Sequence, residues 1–116
     1  MARSVLLQLA RDSIQEVIEA SNTINKQNLI NEHPLLDQKI ATVVKIFLEE
    51  ELRGTSELDA SNALIDNIII ASKKAAFEDK NFTPLTTSEY LHCSIEITLD
   101  TPEGIISQKD DPILKA

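Results

Sequence analysis

The chain has 116 residues, of which 42% are hydrophobic and 26% charged, with a formal net charge of −8. That length suits one domain around one core, and the hydrophobic share is too high for a disordered chain. The acidic balance repels phosphate backbones and anionic lipid, which argues against nucleic acid or a membrane surface as direct partner. It serves solubility first and a basic protein surface second.

Residues 4–20 read as an amphipathic helix: Leu6, Leu9, Ala10, Ile14 and Val17 share one side, and Leu7 and Ile18 lie at its margin. Gln8, Asp12, Gln15, Glu16 and Glu19 take the other. The polar, Asn-rich stretch from Ser21 to His33 reads as a loop ended by Pro34. Residues 35–52 fit two periods. With period two, Ile40, Thr42, Val44, Ile46 and Leu48 line one face, and the β-branched content favours this strand. With period 3.6, Leu36, Ile40, Val43, Val44 and Phe47 form a stripe, and Glu49-Glu50-Glu51-Leu52 prefers helix because it supplies no Gly or Asn for a tight turn.

Residues 59–77 form the second clear helix, with Asp59 or Ser61 as cap and Leu64, Ile65, Ile68, Ile69, Ser72 and Ala76 on its apolar face. A loop containing Phe82 and Pro84 follows, then a short helical turn from Thr86 or Thr87 with Glu89 placed to return the capping bond. Ser94 to Asp100 alternates as a strand with Ile95, Ile97 and Leu99 inward. Thr101-Pro102-Glu103-Gly104 turns the chain, and Ile105-Ile106 pairs briefly before a polar tail. The predicted organisation is one domain over residues 1–106 and a tail over 107–116.

Aromatic residues are scarce: Phe47, Phe77, Phe82 and Tyr90, with no Trp. Base-stacking platforms therefore lack material, and the core must come from Ile, Leu, Val and Ala. The single cysteine, Cys93, excludes an intramolecular disulfide and fits a reducing compartment. Val5-Leu6-Leu7 is too short an apolar run for a signal peptide, and Ile68-Ile69-Ile70-Ala71 falls far short of a membrane span, so the expected location is cytoplasmic.

Only Gly54 and Gly104 are present, too few for a phosphate-cradling loop, and no cofactor is expected. His92 and Cys93 are adjacent, so on a strand they face opposite ways; with His33 far off, no metal site is expected. Cys93 leads into a strand and reads as a packed residue instead of a nucleophile. Glu49-Glu50-Glu51 reads as a solvated turn. Arg53-Gly54 differs in kind: the glycine permits a close backbone approach or positive φ, and the guanidinium is a planar five-donor anion clamp. The competing reading pairs Arg53 with one of the many acids.

Leu52-Arg53-Gly54, then Ala75-Ala76-Phe77-Glu78-Asp79-Lys80-Asn81-Phe82-Thr83-Pro84-Leu85-Thr86, then Ile95-Glu96-Ile97 and Leu99-x-Thr101-Pro102-Glu103, resemble in order and spacing the AMMECR-type domain family. The resemblance covers about residues 4–106 and adds weight to the strand at 40–48. Where the family has Cys-Ile-Gly after Leu-Arg-Gly, this chain has Thr55-Ser56-Glu57. Chemistry that uses the family's cysteine does not carry onto Thr55, whose hydroxyl needs an activating base.

The resemblance implies an α+β fold: a small, mainly antiparallel sheet with helices packed on it, the 59–77 helix across it, and one sheet edge left unpaired where the family continues. That edge makes a homodimer or an obligate partner the expected assembly. The family link further implies a radical-SAM or Memo-type protein as partner. The functional expectation is a non-catalytic binding or assembly module using Arg53, Gly54, Thr55, Ser56 and Glu57. The alternative is an enzyme that binds a small anionic substrate through Arg53 with Thr55, Ser56 or Glu57 beside it.

Overall fold

The computed structural model of the chain describes residues 3–114. Helix α1 spans Val5–Glu19; Ser4 Oγ accepts the Leu7 N–H at 3.2 Å, and Ala20 ends the helix in the left-handed region at φ 51°. Leu6, Leu7, Leu9, Ala10 and Ile14 are buried as one arc. Two residues change sides from the sequence reading: Val17 is 44% exposed, and Glu16 is buried. Glu16 is drawn inward by three donors, the N–H groups of Thr23 and Ile24 at 2.7 and 2.9 Å and Lys73 Nζ at 3.2 Å. These bonds, that of Ile24 foremost, hold its carboxyl below the usual carboxylate range.

The stretch expected as a loop from Ser21 to His33 contains helix α2, Lys26–Glu32. Asn25 starts it, its Oδ1 accepting the Asn28 N–H at 3.1 Å. The helix buries no residue fully; Leu29 and Ile30 pack half-buried against the core, and Lys26 pairs with Asp66 at 2.9 Å. With so little apolar content it shows almost no periodicity to read. A 3₁₀ turn at Pro34–Asp37 then buries Leu36.

Strands β1 (Ala41–Leu48), β2 (Glu51–Leu58), β3 (Cys93–Thr101) and β4 (Gly104–Lys109) form one antiparallel sheet in the order β2-β1-β3-β4. The strand reading of residues 40–48 is the correct one, and its buried face is Thr42, Val44 and Ile46. The helix alternative fails just beyond: Glu49 and Glu50 adopt φ 53° and 68° and close a two-residue hairpin, and Glu51–Leu58 is a strand that the sequence reading lacks. Positive φ at both central residues is the geometry of the turn best matched to strand twist, here adopted by glutamates in place of Asn-Gly.

The second long helix, α3, runs Leu64–Phe77 and starts later than expected. Neither Asp59 nor Ser61 caps it: Ala63 is its N-cap, with no side-chain bond, and Asp59 Oδ1 accepts the Ser61 N–H in the turn before it. Gln38 O takes the Leu64 N–H at 2.7 Å. The short helix α4, Thr87–His92, carries the expected capping box between Thr86 and Glu89. Ser107, Gln108 and Lys109 belong to β4, and Asp110 beyond them is buried.

Helix α3 packs against β1 and β2, and α1 packs against α3 and β3, so the core lies between the helices and one sheet face. Ile65, Ile68, Val44, Ile95 and Ile97 are among its fully buried side chains, each contributing roughly 2 kcal/mol relative to exposure. Val43, Lys45, Phe47, Glu96, Thr98, Ser107 and Lys109 share the opposite face, which no described helix packs across.

Candidate functional site

The two sequence stretches that carry the family resemblance meet in space. Ile46 pairs with Gly54, but Phe47 pairs with Leu52, so Arg53 is the extra residue of a β-bulge. A bulge re-aims the side chain it carries, and Arg53 turns off the ladder toward the segment that follows α3. Its Nε donates to Glu89 Oε2 at 2.9 Å, and its Nη2 donates to Glu89 Oε1 at 3.0 Å and to the Thr83 carbonyl at 2.9 Å. The guanidinium carbon stands 5.6 Å from the Phe82 ring centroid. The fork is thus filled from within the chain by a two-pronged carboxylate bond. Arg53 is paired with an acid, as the competing sequence reading held.

Its neighbours reinforce the same docking. The Thr55 N–H donates to Asp79 Oδ2 at 3.0 Å, and Asp79 Oδ1 accepts the Asn81 N–H at 2.9 Å. Those two backbone donors, Asn81 first, hold Asp79 below the usual carboxylate range. Gly54 lies against the last turn of α3, where a Cβ would run into the Ala75 carbonyl oxygen; of the two roles open to this glycine, close approach is the one it plays. Leu85 N–H returns to the Ala76 carbonyl at 2.8 Å, closing the loop that holds Phe82 and Pro84.

The five residues grouped as a binding patch are therefore distributed. Gly54 and Ser56 face the helices, Thr55 and Glu57 face the open side of the sheet, and Arg53 reaches α4. They lie on both faces of the sheet and do not converge on one point. Glu57 borders a shallow hollow of about 510 Å³ on the open sheet face, with Val43, Thr98 and Ile105.

The larger concavity, about 700 Å³, lies at the hairpin end of the sheet between β1, α4 and the chain after β4. Phe47, Leu48 and Leu114 give it apolar walls, Glu49 and Glu50 rim it, and His92 and Lys109 also line it. Lys109 Nζ lies 4.5 Å from the Phe47 ring centroid. Glu89 belongs to both places, lining this groove while holding Arg53. The sequence reading saw Glu89 only as a capping residue and did not see the groove.

Arg53 and the Thr86 N–H hold the Glu89 carboxyl at about 2, against an ordinary 4.5. A carboxyl whose folded pKa is depressed stabilises the fold above its unfolded value, and that contribution disappears as pH falls toward the folded one. The window is therefore pH 4.5 down to 2. Since Glu89 is partly exposed, Arg53→Ala is expected to lower the unfolding free energy by only about 1–2 kcal/mol at pH 7. In urea titrations that deficit should shrink at pH 2.5; an equal deficit at both values would mean the ion pair is not its source.

A second polar cluster went unread in the sequence. Arg11, on α1, is almost fully buried, and it donates through Nε and Nη2 to Asp110 at 2.8 and 3.0 Å. It also donates to the carbonyls of Cys93 at 2.6 Å and Tyr90 at 3.1 Å. Burial pulls the Arg11 pKa down, but the Asp110 bond and the nearby Cys93 and Tyr90 outweigh it and the net direction is up. Cys93 is fully buried and burial pushes its thiol up, the packed role expected of it. Among the described residues no group of His, Cys, Asp and Glu is arranged to hold a metal ion, and no helix is long and apolar enough to cross a membrane.

An antiparallel sheet with its helices on one face, and an Arg-Gly bulge docked on the loop after the central helix, define an α+β domain. The AMMECR1 family model matches residues 7–113, nearly the whole chain, and this chain belongs to that family. Among solved structures, an uncharacterised protein, PH0010, from Pyrococcus horikoshii has the same fold at a TM-score of 0.74 and 24% identity, over 84% of this chain. This chain spans about half the length of that protein, the match covering 50% of it. No curated protein matches.

Proposed function

We propose that this chain is a non-catalytic binding module whose working surface is the hairpin-end groove, and that its ligand is a basic, partly apolar segment of a partner protein. Glu89 is the observation that carries the reading. One carboxylate both anchors Arg53 and lines the groove, so the Arg53-Gly54 motif serves the site from behind by holding α4 in place. Phe47, Leu48 and Leu114 offer the apolar contact, and the exposed Glu49 and Glu50 at the rim favour a cationic ligand. Neither Thr55 nor Ser56 lines the groove, and Arg53 is already bound to a carboxylate, which sets the anion-binding enzyme reading behind this one. The single buried thiol supports a cytoplasmic site of action. Segments of radical-SAM or Memo-type proteins, the partners that the family resemblance implies, are the natural sequences to try after model peptides.

The test uses fluorescein-labelled dodecapeptides of alternating Lys and Leu, or Glu and Leu, followed by anisotropy. The Lys–Leu peptide should bind and the Glu–Leu peptide should not. The double variant Glu49→Asn, Glu50→Gly removes both rim charges while suiting the positive-φ turn, and should weaken binding about 3–10-fold. A charge-matched control, Glu19→Gln with Glu32→Gln, alters exposed acids outside the groove and should leave binding unchanged. Equal weakening by the two double variants would reduce the interaction to net charge and overturn the proposal.

A further inference from the structure

Among the described residues β2 and β4 are the unpaired edges of the sheet, and they are built differently. Strand β2 is guarded: it carries Glu51 and Glu57, and its bulge at Arg53 breaks the regular row of backbone groups that another strand would need. Strand β4 lacks both the acids and the bulge, and its one charge is Lys109 at its end. Its sequence, Gly104-Ile105-Ile106-Ser107-Gln108-Lys109, contains no acid, no proline and no bulge, in a chain whose net charge is −8. Ile105 and Ile106 are large apolar residues left 75% and 47% exposed on it.

The direction of its backbone groups follows from the ladder. The Asp110 N–H donates to the Ile95 carbonyl at 3.0 Å, and bonded and non-bonded pairs alternate along an antiparallel pair. Gln108, Ile106 and Gly104 thus face β3, while Ile105, Ser107 and Lys109 turn their N–H and C=O groups to the open edge. Those three residues are the ones an added strand would engage.

We propose that β4 pairs with β4 of a second copy of this chain, antiparallel about a two-fold axis at Ser107, to give a continuous eight-stranded sheet. In this register Ile105 meets Lys109 of the partner subunit and Ser107 meets Ser107 of the partner subunit. The three facing residues of each strand exchange all their N–H and C=O groups. Each isoleucine lies along the methylene chain of a lysine, and the two lysines are kept apart. The pairing is self-complementary, as a two-fold interface requires, and it brings together the one sheet edge whose strand carries no acid. Lys109 is the one residue it shares with the groove lining; Arg53 and the rim glutamates take no part, and the Ile105 and Ser107 variants leave that lining intact, so the two readings fail separately.

Light scattering coupled to size exclusion at 100 μM should give twice the 12.9 kDa chain mass for the wild type. It should give the chain mass for Ile105→Lys, which adds a charge at an exposed side chain and leaves the circular dichroism unchanged. The register has its own test. Facing bonded residues stand about 5.5 Å apart between Cα atoms, within disulfide reach. Under mild oxidation with glutathione disulfide, Ser107→Cys should therefore cross-link the two chains, with buried Cys93 left free. Ile105→Cys places its thiols too far apart and should not cross-link. A monomeric wild type, a dimer that survives Ile105→Lys, or cross-linking through Ile105→Cys would each overturn the proposal.

Discussion

Asp110→Asn is expected to lower the unfolding free energy by about 3–5 kcal/mol, a large part of what a domain this size has. One carboxylate organises the junction of α1, β3 and the chain end. Its Oδ2 accepts Nε of both Arg3 and Arg11 at 2.8 Å, and its Oδ1 accepts Arg11 Nη2 at 3.0 Å and the Ile95 N–H at 2.7 Å. An asparagine keeps the shape but removes the charge and turns a donor toward donors. Arg11 would then keep its full charge almost out of contact with water, with carbonyl oxygens, the Cys93 sulfur at 3.5 Å and the Tyr90 face, 5.3 Å from its guanidinium, to compensate.

The reverse substitution should be milder. In Arg11→Met the aspartate retains Arg3 and the Ile95 N–H, so no charge is stranded. The double variant Arg11→Met, Asp110→Leu removes both charges and should recover most of what Asp110→Asn loses. Urea titrations of the three variants measure this order. If Asp110→Asn costs less than 1 kcal/mol, or the double variant is the worst of the three, the aspartate is not the keystone of this junction.

How far the sequence led depended on whether a residue's role was local or long-range. The alternation of Ile95, Ile97 and Leu99 and the three- and four-residue spacing on α3 are written in neighbouring residues, and both elements form where their periods place them. Strand β2 was illegible because its bulge breaks the period-two pattern at Arg53, and because its inward positions are filled by Gly54 and Ser56, which have little β-propensity. Its stability comes from the ladder to β1 and the contact with α3. Helix α2 hid because its length is polar and its Asn25 cap looks like loop composition.

The site divides in the same way. The link between Leu52-Arg53-Gly54 and the stretch from Ala75 to Thr86 was visible as a resemblance, and their contact explains why both belong to one unit. Glu89 was not identifiable as the partner of Arg53, because any of nineteen acidic residues was eligible and this one lies 36 positions away. Arg11 did leave a trace. It stands four residues after Leu7 and three before Ile14, inside the apolar arc of α1, and an arginine there needs a buried acid. Which acid was not readable, since Asp110 is 99 residues distant.

Gly54→Ala is expected to cost about 3 kcal/mol or more. The usual sign for this change in a strand is the opposite. Gly54 has no positive φ, and replacing such a glycine by alanine restricts the unfolded chain and tends to stabilise by up to about 1 kcal/mol. Sterics reverse the sign here, because the new Cβ would point from the buried face of β2 into the Ala75 carbonyl oxygen. A side chain in that place would swing aside; a helix carbonyl moves only if α3 lifts from the sheet. Lifting would also pull Asp79 from the Thr55 N–H and disturb the loop that holds Phe82 and Thr83 against Arg53. Ala75→Gly should therefore fail to rescue Gly54→Ala, since it removes a methyl group and leaves the oxygen. Thermal unfolding of the two variants separates the possibilities: rescue by Ala75→Gly, or a loss below 1 kcal/mol for Gly54→Ala alone, would show that the glycine is not held there by the helix backbone.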